Sequence, residues 1–192
     1  MIKIQQIQAR AIAQLALKIE EYLIDPKSAL IALVTDGIPV ARGIRYALWQ
    51  KGQPCKLEYL CASTKDKWWV DSKKLDILKA TYPNNRVYVD WRTNTGTLCQ
   101  LLRLMDQGSK YAVLSNPSSQ QCFSATTDEI PKFDFPTNYE ETMKTIGLWI
   151  EPHELEGDVM QTKEYWEIET DLSMEFYADL FQKIKEFLPK ND

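Results

Sequence analysis

The chain has 192 residues, 44% of them hydrophobic, with 23 basic against 27 acidic side chains and a formal net charge of −4. That length buries a substantial core and is ordinary for one domain, which excludes a long disordered chain. The acidic balance leaves no general positive field for a polyanion, so nucleic acid is excluded as a partner while a small, locally bound anion is not.

The four cysteines, Cys55, Cys61, Cys99 and Cys122, form no C-x-x-C pair, and His153 stands alone, so zinc-ligand spacing is absent and free thiols of a reducing compartment are expected. Apolar runs such as Ala29–Val34 fall far short of the ~20 residues that span a bilayer. Gln5, Gln6, Gln8, Arg10 and Gln14 interrupt the first twenty residues where a secretory leader is apolar. The expectation is a soluble, cytoplasmic protein with no membrane partner.

In chain order, Ile4, Ile7, Ala11, Ile12, Leu15, Ile19 and Leu23 recur at helical spacing, predicting an N-terminal helix that ends before Asp25 and Pro26. The continuous apolar run Ala29–Val34, bounded by Pro26 and by Asp36 with Gly37, predicts a buried parallel strand. Helical spacing returns over 38–50 and Gly52 stops it. The alternation then repeats, with strands predicted over 55–61, 86–91 and 110–115 and helices over 72–80 and 95–105. Strands and helices in series imply right-handed crossovers and an α/β fold: a mainly parallel twisted sheet with helices on both faces.

From 116 to about 160 the pattern is turn-rich and punctuated by Pro117, Pro131, Pro136 and Pro152. A cap over the sheet is favoured over a bare connection, because Phe133, Phe135, Tyr139, Leu148, Trp149 and Ile150 give it something to bury. An amphipathic helix over 172–188 closes the chain, through Leu172, Phe176, Leu180, Ile184 and Phe187. No repeat or linker divides the sequence, so 1–192 is read as one domain with a core over 26–115, a hood over 116–160 and the terminal helix.

Ligands of such sheets gather at the carboxyl ends of the strands, which directs attention to two strand-to-helix turns. In the first, Thr35, Asp36 and Gly37 precede a helix whose free N–H groups favour an anion. In the second, Asp90 ends a strand, and Arg92, Thr93, Asn94, Thr95, Gly96 and Thr97 lead into the next helix. Hydroxyls and successive backbone N–H groups suit a phosphate monoester, and a carboxylate just before them suits ribose hydroxyls or a magnesium shell. The plainer alternative makes Asp90 a strand-end acid and Thr95 a helix cap.

The second turn resembles the phosphoribosyl-diphosphate (PRPP) loop of the type I phosphoribosyltransferases, matched by Val89 with Asp90 and by Thr95, Gly96 and Thr97. The first falls where that family has its pyrophosphate loop. Cys61 to Asp66 is similar to the start of the mobile catalytic loop in xanthine–guanine-type members, and 128–131 followed by 148–152 is similar to their hood. Together these cover 29–154.

The resemblance implies transfer of phosphoribose from magnesium-bound PRPP to a nucleobase, or the reverse, by positioning, charge neutralisation and closure of a loop. It implies that Asp90 holds ribose hydroxyls and magnesium, with Asn94 beside it in the catalytic role. Thr35, Asp36 and Gly37 would line pyrophosphate, and Arg92, Thr93, Thr95, Gly96 and Thr97 the 5′-phosphate. Ser63, Thr64, Lys65 and Lys67 would open the mobile loop, while Asn116, Trp149 and Ile150 would contact the base. Partners are then PRPP with a nucleobase or nucleotide, and family members are often homodimers.

Four positions depart from the pattern. Trp91 replaces the second acid of the usual pair, Asn94 the acid near the purine, Asp36 a common Arg or Lys, and Asn116 a base-reading Lys. Arg42, Arg45, Arg92, Lys65 and Lys67 are the residues available to resupply positive charge. Two further readings therefore stand beside the enzyme: a catalytically degenerate member that senses or scaffolds around a nucleotide or PRPP, and an unrelated hydrolase using Asp36 with Asp90.

Overall fold

The structure, a computed structural model, describes residues 2–63, 69–93, 96–117, 122–150 and 165–189. Helix α1 (Gln6–Ile19) starts at a capping box in which Gln5 and Gln8 bond each other's backbone, and a single 3-10 turn at Glu20–Leu23 finishes it. Strand β1 (Ala29–Val34) leads through the first turn into α2 (Gly37–Gln50), then β2 (Lys56–Ser63) and a two-residue β3 (Trp69–Val70). Helix α3 (Ser72–Thr81), whose first turn is capped by the Asp71 carboxylate accepting from the Lys74 N–H, precedes β4 (Arg86–Arg92). The second turn then enters α4 (Thr97–Met105), followed by β5 (Lys110–Ser115) and β6 (Phe123–Thr126). Helix α5 (Tyr139–Ile146), β7 (Leu148–Ile150), β8 (Tyr165–Glu167) and α6 (Asp171–Lys185) complete the chain.

The six-stranded sheet has the order β3-β2-β1-β4-β5-β6. All its pairings are parallel except that of β2 with β3. Strand period divides the core in two. Leu30, Ala32, Val87, Val89, Ala112 and Leu114 face α1, α2 and α6, whereas Ala29, Ile31, Leu33, Tyr88, Tyr111 and Val113 face α3 and α4. Each fully buried Leu or Ile among them contributes roughly 1.5–3 kcal/mol. The apolar runs of the central strands, Ala29–Val34 in β1, 87–89 in β4 and 111–114 in β5, thus answer to helices on both sides.

At the amino end of β4, Asp106 accepts from Arg86 Nε (2.7 Å), Arg86 Nη2 (2.6 Å) and the Tyr88 hydroxyl (2.7 Å), a buried network that ties β4 to the end of α4. The charges are paired and hydrogen-bonded there, as burial requires. The chemistry of interest lies at the opposite, carboxyl end.

Several elements differ from the sequence-based expectation. The expected turn-rich stretch contains β6, a four-residue strand of half-buried Phe, Ser, Ala and Thr whose composition is too mixed and too short to read as a strand. It also contains α5, whose core contribution is only Met143, Thr145 and Ile146; Asn138 with Glu141 and the closing Gly147 were its legible caps. Strand β2 continues to Ser63, and β3 returns antiparallel against its end. The final helix occupies Asp171–Lys185, starting at a Thr170–Ser173 capping box and ending three residues earlier than the 188 expected from its apolar face.

The β7–β8 pair and α5 pack into the same apolar cluster as α1, α2 and α6, through Ile146, Leu148, Ile150 and Phe176. Tyr165 fastens this unit to the sheet: its hydroxyl accepts from the Cys61 N–H (3.0 Å) and donates to Asp71 Oδ2 (3.1 Å). Among the described residues no helix is long and apolar enough to cross a membrane.

Candidate active site at the carboxyl ends of the central strands

Strands β1 and β4 are neighbours, so their carboxyl ends bring the two turns together. In the first turn the Val34–Thr35 peptide is cis, and Asp36 stands at the start of α2. Gly37 sits hard against the sheet: a Cβ built there would lie 2.2 Å from the Val89 carbonyl oxygen. Close approach of α2 to β4 therefore requires glycine at this position whether or not a ligand binds.

In the second turn Asp90 is partly buried and both of its oxygens are engaged. Oδ1 accepts from the Trp91 N–H (2.7 Å) and Oδ2 from the Tyr111 hydroxyl (3.1 Å). Burial pushes the carboxyl up to about 6; the Trp91 N–H bond opposes this, Asp36 adds to it, and the Tyr111 bond and Lys132 pull it back. The Tyr111 phenol is raised well above its ordinary range, first by burial and then by the Asp90 charge.

Gly96 has φ +74° and precedes α4, so the chain enters the helix through a left-handed residue. The first turn of α4 thus starts at Thr97, two positions later than the sequence spacing implies, while Asn94 and Thr95 lie outside the described residues. Thr93 is buried, and its hydroxyl donates to Asn116 Oδ1 (2.8 Å). Asn116 is itself buried, with its N–H bonded to the Thr126 carbonyl (3.0 Å). This pair braces the second turn against the end of β5.

The remaining expected residues divide clearly. Ser63 is the last residue of β2, and Thr64, Lys65 and Lys67 lie outside the described residues. Trp149 pairs with Trp166 across β7–β8 and is partly exposed, whereas Ile150 is buried in the main core. Strand β7 ends at Ile150, and the remainder of the hood motif through Pro152 and Glu154 lies outside the described residues.

One expectation about charge is corrected. Arg42 and Arg45 do not resupply the first turn, because both serve the far side of α2. Arg42 Nη2 donates to the Gly147 carbonyl (2.7 Å), its guanidinium lies 4.9 Å over the Tyr177 ring, and both arginines lie within 4 Å of Glu167. They line a cavity of about 420 Å³ with Tyr46, Trp49, Pro54, Cys55 and Phe181. Asp36, which departs from the common Arg or Lys of the first turn, is ion-paired with Lys132.

Lys132 was missed because it lies 96 positions from Asp36 in a stretch without periodicity. Its neighbours cross the site as a strap over 128–133. The Ser115 hydroxyl donates to the Asp128 carbonyl (2.6 Å), Arg92 pairs with Glu129 (2.5 Å), and Trp91 Nε1 donates to the Ile130 carbonyl (3.1 Å). Trp91 itself is 2% exposed and meets the Phe133 ring edge-on at 4.9 Å. The residue standing in for the second acid is thus a core anchor. Trp91→Phe, which keeps most of the packing and loses the indole N–H, is expected to cost about 1 kcal/mol in a denaturant titration; an unchanged midpoint would count against the anchor.

No protein-family model matches the chain, and no curated protein does either. Solved structures do. The chain is similar in fold to phosphoribosyltransferases. A hypoxanthine phosphoribosyltransferase of Trypanosoma cruzi shares 15% identity over 65% of this chain and 79% of that one, with a TM-score of 0.47. A mutant of the T. cruzi enzyme in a ternary substrates complex shares 16% over 73% and 89%, with a TM-score of 0.49. A hypoxanthine-guanine phosphoribosyltransferase from Bacillus anthracis shares 16% over 68% and 82%, with a TM-score of 0.45. These are likenesses of fold, and roles of individual residues rest on the geometry above.

Proposed function

We propose that the chain is a phosphoribosyltransferase-type protein that binds a phosphorylated ribose, as PRPP or a nucleoside monophosphate, where β4 passes into α4. The observation that carries this reading is the junction itself: a carboxylate at the strand end, Asp90, followed by a left-handed Gly96 that opens a helix N-terminus at Thr97. The positive N-terminal end of α4 suits the 5′-phosphate, and Asp90 suits the ribose hydroxyls. Thr35, with Asp36 and Gly37, flanks this place on the first turn, and Trp149 on β7 is the aromatic side chain proposed to meet a base.

Magnesium, which the resemblance implies, is a poor fit for the residues present. Among the described residues no group of three or more His, Cys, Asp and Glu gathers at one point. The acid pair is reduced to Asp90, whose oxygens already accept from Trp91 and Tyr111, and Asp36 on the first turn is held by Lys132. A hard cation needs several oxygen ligands, and here the protein offers it little.

This donor set favours the second reading within the same fold, in which the site binds its ligand without transferring phosphoribose. Trp91 buried as an anchor is the specific observation for it. The hydrolase reading loses ground for the same reason, since Asp36 is occupied by Lys132 and Asp90 is turned toward Tyr111.

Calorimetric titration of PRPP and GMP against the wild type and Asp90→Ala tests the assignment. Binding that falls roughly tenfold or more in the variant, as loss of a charge-assisted hydrogen bond entails, is the expected result. Equal affinity in both proteins, or no binding to the wild type, refutes it. Pyrophosphate release from PRPP over a panel of bases then separates transfer from binding.

A further inference from the structure

We propose that Lys132 is the phosphate-receiving cation of this site, carried across it by the 128–133 strap and exchanged from Asp36 to the ligand on binding. The inference rests on the phosphoribose-binding reading and adds to it a residue, and a ligand class, that the two turns alone do not supply. The ligand is a phosphate ester neutralised by the protein's own ammonium group.

The strap is fixed on both sides of Lys132 and left free at Lys132 itself. Ile130 and Phe133 are 1% and 5% exposed, the Trp91 indole holds the Ile130 carbonyl, and Gln8 Nε2 donates to the Pro131 carbonyl (2.8 Å). Between these anchors the Lys132 side chain is 54% exposed. Its ammonium reaches Asp36 Oδ2 on the first turn, which lies beside the second because β1 and β4 are neighbours. A flexible stem with three rotatable donors on a rigid base can change partner without moving the backbone.

The exchange is cheap because the resting pair is weak. An ion pair exposed to this degree contributes about 0–1 kcal/mol, since water screens it and holding two side chains together costs entropy. A dianionic phosphate presents more charge and more acceptor oxygens than one carboxylate, so it outcompetes Asp36 for the same ammonium. The substitutions at the two turns then become one change. Asp36 stands where a cation is usual, and Lys132 brings the cation from elsewhere. Trp91 stands where an acid is usual, and it holds the strap that brings it.

The test is a calorimetric titration of GMP, with guanosine as the phosphate-free control, against the wild type, Lys132→Ala, Lys132→Arg and Asp36→Asn, with a thermal melt of each. Lys132→Ala is expected to weaken GMP roughly tenfold while leaving guanosine unchanged, and Lys132→Arg to restore most of the loss. Asp36→Asn, which frees the ammonium and removes a repelling charge, is expected to tighten GMP several-fold. GMP affinity within twofold of wild type in Lys132→Ala, or no tightening in Asp36→Asn, overturns the role of Lys132 and leaves the binding site standing. A wild type that binds no GMP or PRPP overturns the site and this inference with it.

Discussion

Gly37→Ala is expected to destabilise the fold by about 3 kcal/mol or more, and to weaken any ligand of the first turn along with it. The added methyl would sit 2.2 Å from the Val89 carbonyl oxygen, 3.1 Å from the Val89 carbonyl carbon and 3.4 Å from Asp90 Cα. All three obstacles are backbone of β4, which is hydrogen-bonded to β1 on one side and β5 on the other and has no room to yield. Helix α2 must move instead, lifting Ile38, Ala41 and Ile44 from the core and carrying Thr35 and Asp36 away from Asp90. Against a total stability of about 5–15 kcal/mol this is a large fraction. Urea denaturation of the purified variant measures it. A midpoint within experimental error of wild type would mean that α2 and β4 are not packed as described.

Asp90→Asn is expected to do the opposite to stability and to make it less dependent on pH. In the folded chain the Asp90 carboxyl is raised from 3.8 to about 6, chiefly by burial, so the folded state holds this proton more tightly than the unfolded state does. Below about pH 4 both states are protonated and the group costs nothing. As pH rises from there to about 6 the unfolded chain ionises first, stability falls, and above about pH 6 the loss is complete. Its size is on the order of 3 kcal/mol. Asparagine removes the ionisation and keeps an acceptor for the Trp91 N–H, while the Tyr111 hydroxyl can rotate to accept from the new amide. The variant's melting temperature is expected to exceed that of wild type by about 7 °C at pH 7 and to match it at pH 4. A variant that melts lower than wild type at pH 7 would refute the buried, costly charge. A desolvated carboxylate of this kind is consistent with the proposed binding role of Asp90, since perturbed groups concentrate where ligands bind.

How far the fold was legible depends on what each segment packs against. Ala29–Val34 and Lys110–Ser115 read correctly to the residue, because strands covered by helices on both faces need uninterrupted apolar sequence. Strand β6 was illegible for the reverse reason. It lies at the sheet edge, its four residues are all half-buried, and its pairing with β5 supplies what its composition does not. Likewise β3 exists only because β2 offers it a partner. Local propensity is weak beside such tertiary pairing.

The candidate site was legible as two turns and illegible as a charge arrangement. Asp90 and the run through Thr97 stand out in sequence because a strand end and a turn into a helix are local events, although the helix starts at Thr97 rather than at 95. The partners of those residues are not local. Tyr111 reaches Asp90 from the neighbouring strand, Asn116 reaches Thr93 from the end of β5, and Lys132 reaches Asp36 from a loop. Arg42 and Arg45 follow the first turn in sequence, yet α2 rotates them to its far side and into the ion pairs with Glu167.

By itself the sequence determined the α/β class, the alternation of strands and helices, the two turns at the sheet's carboxyl end and the absence of a general basic field. These follow from periodicity, composition and short-range backbone chemistry, all of which act within a few residues. Only the tertiary structure decided that Gly37 answers to the Val89 carbonyl, that Trp91 anchors a strap, and that the cation facing Asp36 is Lys132. Those are contacts across 52, 39 and 96 positions of chain, set by the order of strands in the sheet. Packing and charge act through space, and the chain's order along its length does not state which distant residues the sheet will bring together.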